Sequence, residues 1–518
     1  MKHTGIFCLI ASCLPLWVLA EPVPVRVTNT TVFQSRTDNQ NGQDDDDNYT
    51  SVINRLNLNG TADNITTAVR VDTMGFFGDH QSWHTDDLRL EQLRVQYNIG
   101  DWKIQAGDYY RQLGRGIVLS LRKMDEAGRD ISLRGGELTY DSSKQSIGLF
   151  GGRTNTVNID ILKQRFVDDP NDILAGGWYT LRKIPLGSLK LQGGFHYLLG
   201  RAAEIDPGNQ TENATSSVGG MLELPDLNGF GALYVEANVQ QSRTADQVSQ
   251  GRALYGSMDL FLGDTSLLVE GLIIEDFTQF GRNNRYNEPV RYNLPPTLDR
   301  IDQETSAGQN EMGGRARVEQ AFGDGDYVLY ANGLYKLIDP DSPSEVTQLH
   351  AYGGAKGEYN DGRSRASASG GFRDEIASGR DDGESIKDMM HSEFEVLQYI
   401  SRGYAVQLAG NYEFRGVENQ DGAGRKKYRR GSTYLGLQKS GLGSITVEYG
   451  MDNQDTRSQI RQHFLAGIVS WDISESFKMR GTVGSQRGGL KCVAGVCRIY
   501  PSFSGYHLEI LSNHNIGG

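Results

Sequence analysis

Hydrophobic and polar positions alternate along most of the chain, and the stretch 431–450, GSTYLGLQKSGLGSITVEYG, shows the unit plainly. Leu435 and Leu437 point to one side, while Tyr434, Gly436 and Gln438 point to the other. After the Lys439-Ser440-Gly441 turn, Ile445, Val447 and Tyr449 alternate with Thr446, Glu448 and Gly450. A period of two marks a β-strand with unlike faces. Such a hairpin needs an apolar medium on one side and water, or a polar interior, on the other. In a soluble sandwich the apolar faces cover each other; in a membrane barrel they face lipid.

The alternation starts near Val25 and returns in segments of about 10 to 15 residues, joined by connections that are short and long in turn. Short turns fall at 60–64, 100–101, 141–144, 185–188, 263–264, 323–325, 360–362, 401–403, 440–443 and 474–475, rich in residues that tolerate positive φ or bond locally. Polar loops fall at 38–48, 79–87, 111–129, 154–172, 201–214, 279–309, 375–386, 417–427 and 488–497. A sandwich has no reason to gather its short turns at one end, whereas an outer-membrane barrel does. The pattern therefore predicts an all-β, antiparallel transmembrane β-barrel of about 24 strands, between about 22 and 26. No composition shift divides residues 21–518, so they are expected to form one domain. Trp102, Tyr97, Tyr140, Trp471 and Phe477 lie beside short turns, as an interfacial aromatic girdle requires.

Composition sharpens this picture. The one long apolar run, 6–20 behind Lys2, reads as a secretory signal peptide over residues 1–20 rather than a membrane anchor, being shorter than the roughly 20 residues a helix needs to span. The formal net charge of −13 excludes nucleic acid as a natural partner. Of four cysteines, Cys8 and Cys13 lie in the signal, leaving Cys492 and Cys497 in CVAGVC. An exported pair so close reads as a disulfide, with free thiols or redox chemistry as the alternatives.

These features together resemble the outer-membrane β-barrels of Gram-negative bacteria over the whole length after the signal. Within that class the block Leu113-Gly114-Arg115-Gly116-Ile117-Val118-Leu119-Ser120-Leu121-Arg122-Lys123 and the late CVAGVCR resemble an uncharacterised proteobacterial barrel family. The resemblance implies residence in the cell outer membrane, with lipid and lipopolysaccharide as surroundings, and brings no substrate. The polar end from Ser512 to Gly518 departs from the terminal aromatic usual in such barrels. Strand pattern begins within a few residues of Glu21, which argues against a separate plug domain and an energy-coupled transporter.

Candidate chemistry centres on the loop 111–129, RQLGRGIVLSLRKMDEAGR. Leu113, Ile117, Val118, Leu119, Leu121 and Met124 should not lie free in water, so the loop is expected to fold into the lumen. Arg111, Arg115, Arg122 and Lys123 would then meet Arg70, Asp72, Arg94, Asp108, Arg134 and Glu137 on the polar faces of nearby strands. Fixed charges at a constriction select solutes by charge; alternatively the same charges pair and hold a plug in place. Asp44, Asp45, Asp46 and Asp47 offer hard oxygen ligands for a cation, in a spacing that fits no defined calcium loop and otherwise reads as a solvated acidic loop. The loop 279–309, with Tyr286, Tyr292, Pro289, Pro295 and Pro296 among its arginines, is either a lid or binding surface or a plain external loop.

His80 and His84 with Asp86 and Asp87 supply a possible general base but no nucleophile, and no cofactor motif is present, so no enzyme is expected. Two function classes remain: a channel for small hydrophilic solutes narrowed by the loop 111–129, or a structural or assembly barrel whose external loops dock other envelope proteins or polysaccharide.

Overall fold

A computed structural model describes residues 24–40, 47–78, 80–81, 84–124, 129–160, 164–203, 213–244, 247–277, 280–283, 289–299, 310–378, 385–418, 424–454, 461–493, 496–500 and 502–517. The candidate signal peptide and Asp44, Asp45 and Asp46 fall outside them.

Twenty-four strands form one closed antiparallel sheet. They are β1 Val25–Arg36, β2 Tyr49–Ala62, β3 Ile65–Gly78, β4 Asp87–Ile99, β5 Trp102–Tyr109, β6 Arg129–Asp141, β7 Gln145–Thr156 and β8 Ile173–Leu186. Then come β9 Leu189–Arg201, β10 Asn213–Leu224, β11 Gly231–Thr244, β12 Gln247–Leu262, β13 Thr265–Glu275, β14 Glu311–Phe322, β15 Tyr327–Ile338 and β16 Val346–Tyr359. The last are β17 Ser364–Ala377, β18 Ser385–Ser401, β19 Tyr404–Glu418, β20 Arg425–Lys439, β21 Gly443–Asp452, β22 His463–Ser474, β23 Phe477–Gln486 and β24 Phe503–Ile516. Each strand pairs with the next, and β1 closes on β24 from Val25 opposite Ile516 to Arg36 opposite Gly505. Closure removes every edge, which is the condition for a sheet to sit in lipid.

The two faces are those the alternation predicts. In the hairpin of β20 and β21, Leu435 is 56% and Ile445 61% exposed, while Ser432 and Glu448 are 4% and 6% exposed. The same contrast holds around the sheet: Leu88, Phe195, Val239 and Leu465 face out, while Asp72, Glu236, Lys336 and Gln348 are buried inside. An apolar exterior of this extent is stable only in hydrocarbon. Trp102, Phe230, Phe322, Tyr327, Tyr404 and Trp471 are exposed at the short-turn end, and Trp102 packs 5.1 Å from Tyr140.

Two connections depart from the sequence pattern. The turn 225–230 between β10 and β11, missed in the sequence, bends through Asn228 and Gly229 at positive φ. At the opposite end, 339–345 between β15 and β16 is a compact turn among long loops, with Glu345 N–H bonded to the Ser342 carbonyl. In β4 the apolar phase shifts from Leu88 and Leu90 to Leu93 and Val95. A bulge lies there, since Leu90 pairs with Val71 and Gln92 with Arg70. The extra residue, Glu91, is buried inside the barrel.

Candidate functional site

The lumen is crossed by two loops that grip each other. The first, 110–124, forms a short hairpin pairing Arg111–Leu113 with Leu119–Leu121. Gly114 and Gly116 take positive φ at its tip, a conformation that costs a side-chain-bearing residue about 1–2 kcal/mol. The second is the segment 289–299. Ser120 N–H bonds to the Tyr292 carbonyl at 2.7 Å, Leu294 N–H to the Gly116 carbonyl at 2.8 Å, and Asn293 Nδ2 to the Ile117 carbonyl at 3.0 Å. A Cβ on Gly116 would stand 2.8 Å from the Leu294 carbonyl oxygen, so glycine is what allows the two backbones to approach.

Apolar residues seat this plug. Leu113, Ile117, Val118, Leu119 and Leu121 are buried in one cluster with Leu133, Phe150, Leu174, Leu198, Tyr234, Tyr255, Leu272 and Leu334. Those wall residues come from strands between β6 and β15, so residues 113–121 pack on the adjoining wall and also reach strands well beyond it. Tyr292, Leu294 and Leu298 of the second loop are buried as well, which resolves part of the loop 279–309 into an inward element. The rest of that loop lies largely outside the described residues.

The polar anchors are equally specific. At the tip, Arg115 N–H donates to Glu236 at 2.7 Å, and the Arg115 guanidinium lies 4.4 Å from the Tyr234 ring centroid. Glu236 also accepts from Tyr234 Oη at 2.5 Å and Asn238 Nδ2 at 3.0 Å. At the root, Arg111 Nε donates to Glu137 at 2.8 Å beside Lys103, 3.0 Å from the same carboxylate, and Arg111 stacks 4.2 Å over Trp178. In the second loop Tyr292 Oη donates to Asp172 at 2.5 Å. Burial and then the Asp172 carboxylate push this phenol well above its ordinary pKa, so it stays a donor. Asp299 is 2.6 Å from Lys336 and accepts from Gln348 at 2.5 Å. Burial alone would raise the Asp299 carboxyl, but the Lys336 and Arg373 charges and these bonds outweigh it and hold it below the usual carboxylate range.

The other residues singled out from sequence divide. Arg70 pairs with Asp72 at 2.6 Å and Asp130 at 2.7 Å, and Arg134 with Asp108 at 3.0 Å, so these wall charges satisfy one another. Arg94 is half-buried on the inner face, and its Nε has no partner. Arg122 lies in the plug with burial drawing its pKa down. Lys123 pairs its backbone with Asp130 and lines a cavity described below. Sequence reasoning missed Tyr234 and Glu236, which meet the first loop, Arg315 and Lys336, which meet the second, and Glu270, which pairs with Arg315. A polar residue or tyrosine on the inward-facing side of an alternating strand was their only sequence signal.

Asp47 accepts the Asn39 backbone N–H at 3.1 Å, and among the described residues no group of three His, Cys, Asp or Glu is placed to hold a metal ion. His84 stacks 4.5 Å from Phe76 and accepts the Gln81 N–H at 3.3 Å, while Asp86 accepts the Phe76 N–H at 2.9 Å. Both groups are engaged in shaping their loop. Backbone pairing sets Cys492 opposite Cys497 in a small hairpin, Gly489–Val493 with Val496–Tyr500.

A family model described as a family of unknown function (DUF6029) matches residues 440–514, which run from β21 to β24 and include the cysteine hairpin but not the block 113–123. No curated protein matches the chain. Similar solved structures include the siderophore receptor PirA from Pseudomonas aeruginosa, with 10% identity, 95% of this chain and 80% of that one covered, and a TM-score of 0.48. The copper transporter OprC aligns with 10% identity over 96% of this chain and 81% of its own, with a TM-score of 0.48. OccK5 (OpdH) of Pseudomonas aeruginosa aligns with 11% identity over 77% of this chain and 99% of its own, at 0.40. At these identities the likeness is one of architecture. A closed sheet of this size with a lipid-facing surface is an outer-membrane barrel of the Gram-negative kind.

Proposed function

We propose that the protein is a channel for small hydrophilic solutes in the outer membrane, non-catalytic, whose lumen is narrowed by residues 111–124 held against residues 289–299. The observation that carries this reading is the contact of Arg115 with Glu236, 121 positions apart, which draws the loop across the lumen. The plug packs on strands between β6 and β15, and a cavity of about 780 Å³ remains on the other side, between β1–β3 and β20–β24. A barrel of this strand number encloses more space than its own side chains fill, so a loop that closes one side and leaves the other is how a wide barrel becomes a narrow conduit. The charged pairs of the wall, Arg70 with Asp72 and Arg134 with Asp108, brace that geometry rather than meet solute.

The test is planar-bilayer conductance of purified protein. Steady ohmic steps are expected, growing severalfold when residues 113–127 are deleted. Silence from heat-modifiable, correctly inserted protein would refute the channel.

A further inference from the structure

The remaining cavity has a sign. Six of its lining side chains are cationic, Arg36, Arg55, Arg70, Lys123, Arg480 and Arg487, against two carboxylates, Glu448 and Glu509. Arg70 is neutralised by Asp72 and Asp130, and Arg55 shares Asp72 at 3.6 Å. The balance of the remainder still favours cations, even with Asp452 lying 3.7 Å from Arg487. Glu448 is held by neutral donors, Tyr434 at 3.2 Å and Gln486 at 2.7 Å, and Glu509 pairs in register with Arg480.

Arg36 is the most telling of these. It is 6% exposed, it lines the cavity, and its Nε has no partner. Its guanidinium sits 5.9 Å from the Tyr49 ring, a contact that orients it without supplying an acceptor. A charged group this deeply buried is costly without a counter-charge, and an entering anion would supply one to the guanidinium. Arg487, whose Nε is likewise without a partner, stands on the same cavity. Guanidinium forks match carboxylate and phosphate oxygens better than they match halide or water. The volume is that of a small-molecule site.

We infer that the cavity between β1–β3 and β20–β24 binds and passes small multivalent oxyanions, polycarboxylates or phosphates, with Arg36, Lys123, Arg480 and Arg487 as the recognising cations. The inference rests on the channel reading for passage but not for binding. Lys123 belongs to the same loop that carries the plug, so the element that closes one side of the lumen also lines the other. Glu448 and Glu509 keep the well shallow enough for the anion to leave.

Two measurements on the full-length protein test this, with citrate and inorganic phosphate as probes. In bilayers under a potassium chloride gradient, the reversal potential should lie toward chloride, and citrate or phosphate on one side should reduce chloride current. In detergent, calorimetric titration should show saturable binding of at least one probe, and the stronger of the two names the source. The triple substitution Arg36→Gln, Lys123→Glu, Arg480→Glu should abolish binding and turn the preference toward cations. Arg480→Gln alone, at a solvent-exposed lumen position, should weaken both severalfold and guards against misfolding of the triple variant, which heat-modifiable migration would reveal. Conduction that prefers cations, or selectivity unchanged in both variants, overturns the inference and leaves the channel standing. Binding without conduction supports the site and overturns the channel. Absence of both binding and conduction overturns the two together.

Discussion

Removing the Glu236 carboxylate should loosen the plug less than charging its apolar face, and the difference is large enough to measure. Glu236 accepts from Arg115 N–H in a part-buried bond and from Tyr234 Oη and Asn238 Nδ2 in buried ones. Truncation in Glu236→Ala leaves those donors unsatisfied and costs about 3–5 kcal/mol, which shifts the balance between docked and undocked plug by about two to four decades. Ile117 and Leu119 are both 0% exposed. In Ile117→Asp with Leu119→Asp, about 3–6 kcal/mol of burial is lost and two carboxylates must either be desolvated at several kcal/mol each or leave the site. The double variant should therefore be permanently open, and Glu236→Ala should open intermittently. Single-channel recording separates the two, as openings of the wide level in one and a constant wide level in the other. If Glu236→Ala conducts as much as the double variant, the polar anchor and not apolar burial seats the plug, and the reasoning fails.

Other outcomes follow from the same contacts. Gly116→Val should unlock the two loops, because its Cβ would meet the Leu294 carbonyl at 2.8 Å with φ at +88°; faster proteolysis after residue 289 in the folded variant is the readout. Cys492 and Cys497 should form a disulfide, giving an intact mass lower by two hydrogens, and Cys492→Ser should destabilise that hairpin by about 2 kcal/mol, read as local hydrogen exchange. The Asp299 carboxyl lies below its usual range, so its contribution is whole above about pH 4 and is lost as pH falls through the lowered value. Protease access to residues 289–299 should then stay flat from about pH 8 to pH 5 and rise only in stronger acid; a rise near neutrality would place the holding charge elsewhere.

The barrel was legible because its signal is local. Leu435, Leu437, Ile445 and Val447 declare their face within a few residues, and summing such hairpins around a closed sheet leaves little freedom in strand number. The burial of the loop 111–124 at Ile117, Val118 and Leu119 was also legible, since these residues are too apolar for an external loop. Its destination was not. Glu236 and Lys336 look in sequence like any polar residue on an alternating strand, and only curvature of the whole sheet brings them opposite residues 115 and 299. The bulge at Glu91 shows the same limit on a smaller scale, because the phase shift from Leu90 to Leu93 is visible whereas the inward aim of Glu91 depends on pairing with β3. The short connections 225–230 and 339–345 escaped for a different reason, being built from turn residues that fit either end.

Closure of β1 on β24 also has a meaning in time. The apolar cluster that seats the plug lies between Tyr109 and Leu334, so it can form before the final third of the chain has paired, whereas Asp299 of the second loop waits for Gln348 and Arg373. The arginine-lined side cannot exist until the two ends of the chain meet. Assembly should therefore run from blocked to passable, with the cell never holding an open 24-strand ring. On newly made chains, cysteines at Ile117 and Asn293 should cross-link before a pair at Thr28 and Asn513 across the seam, and the reverse order would mean that the ring forms empty and is filled afterwards.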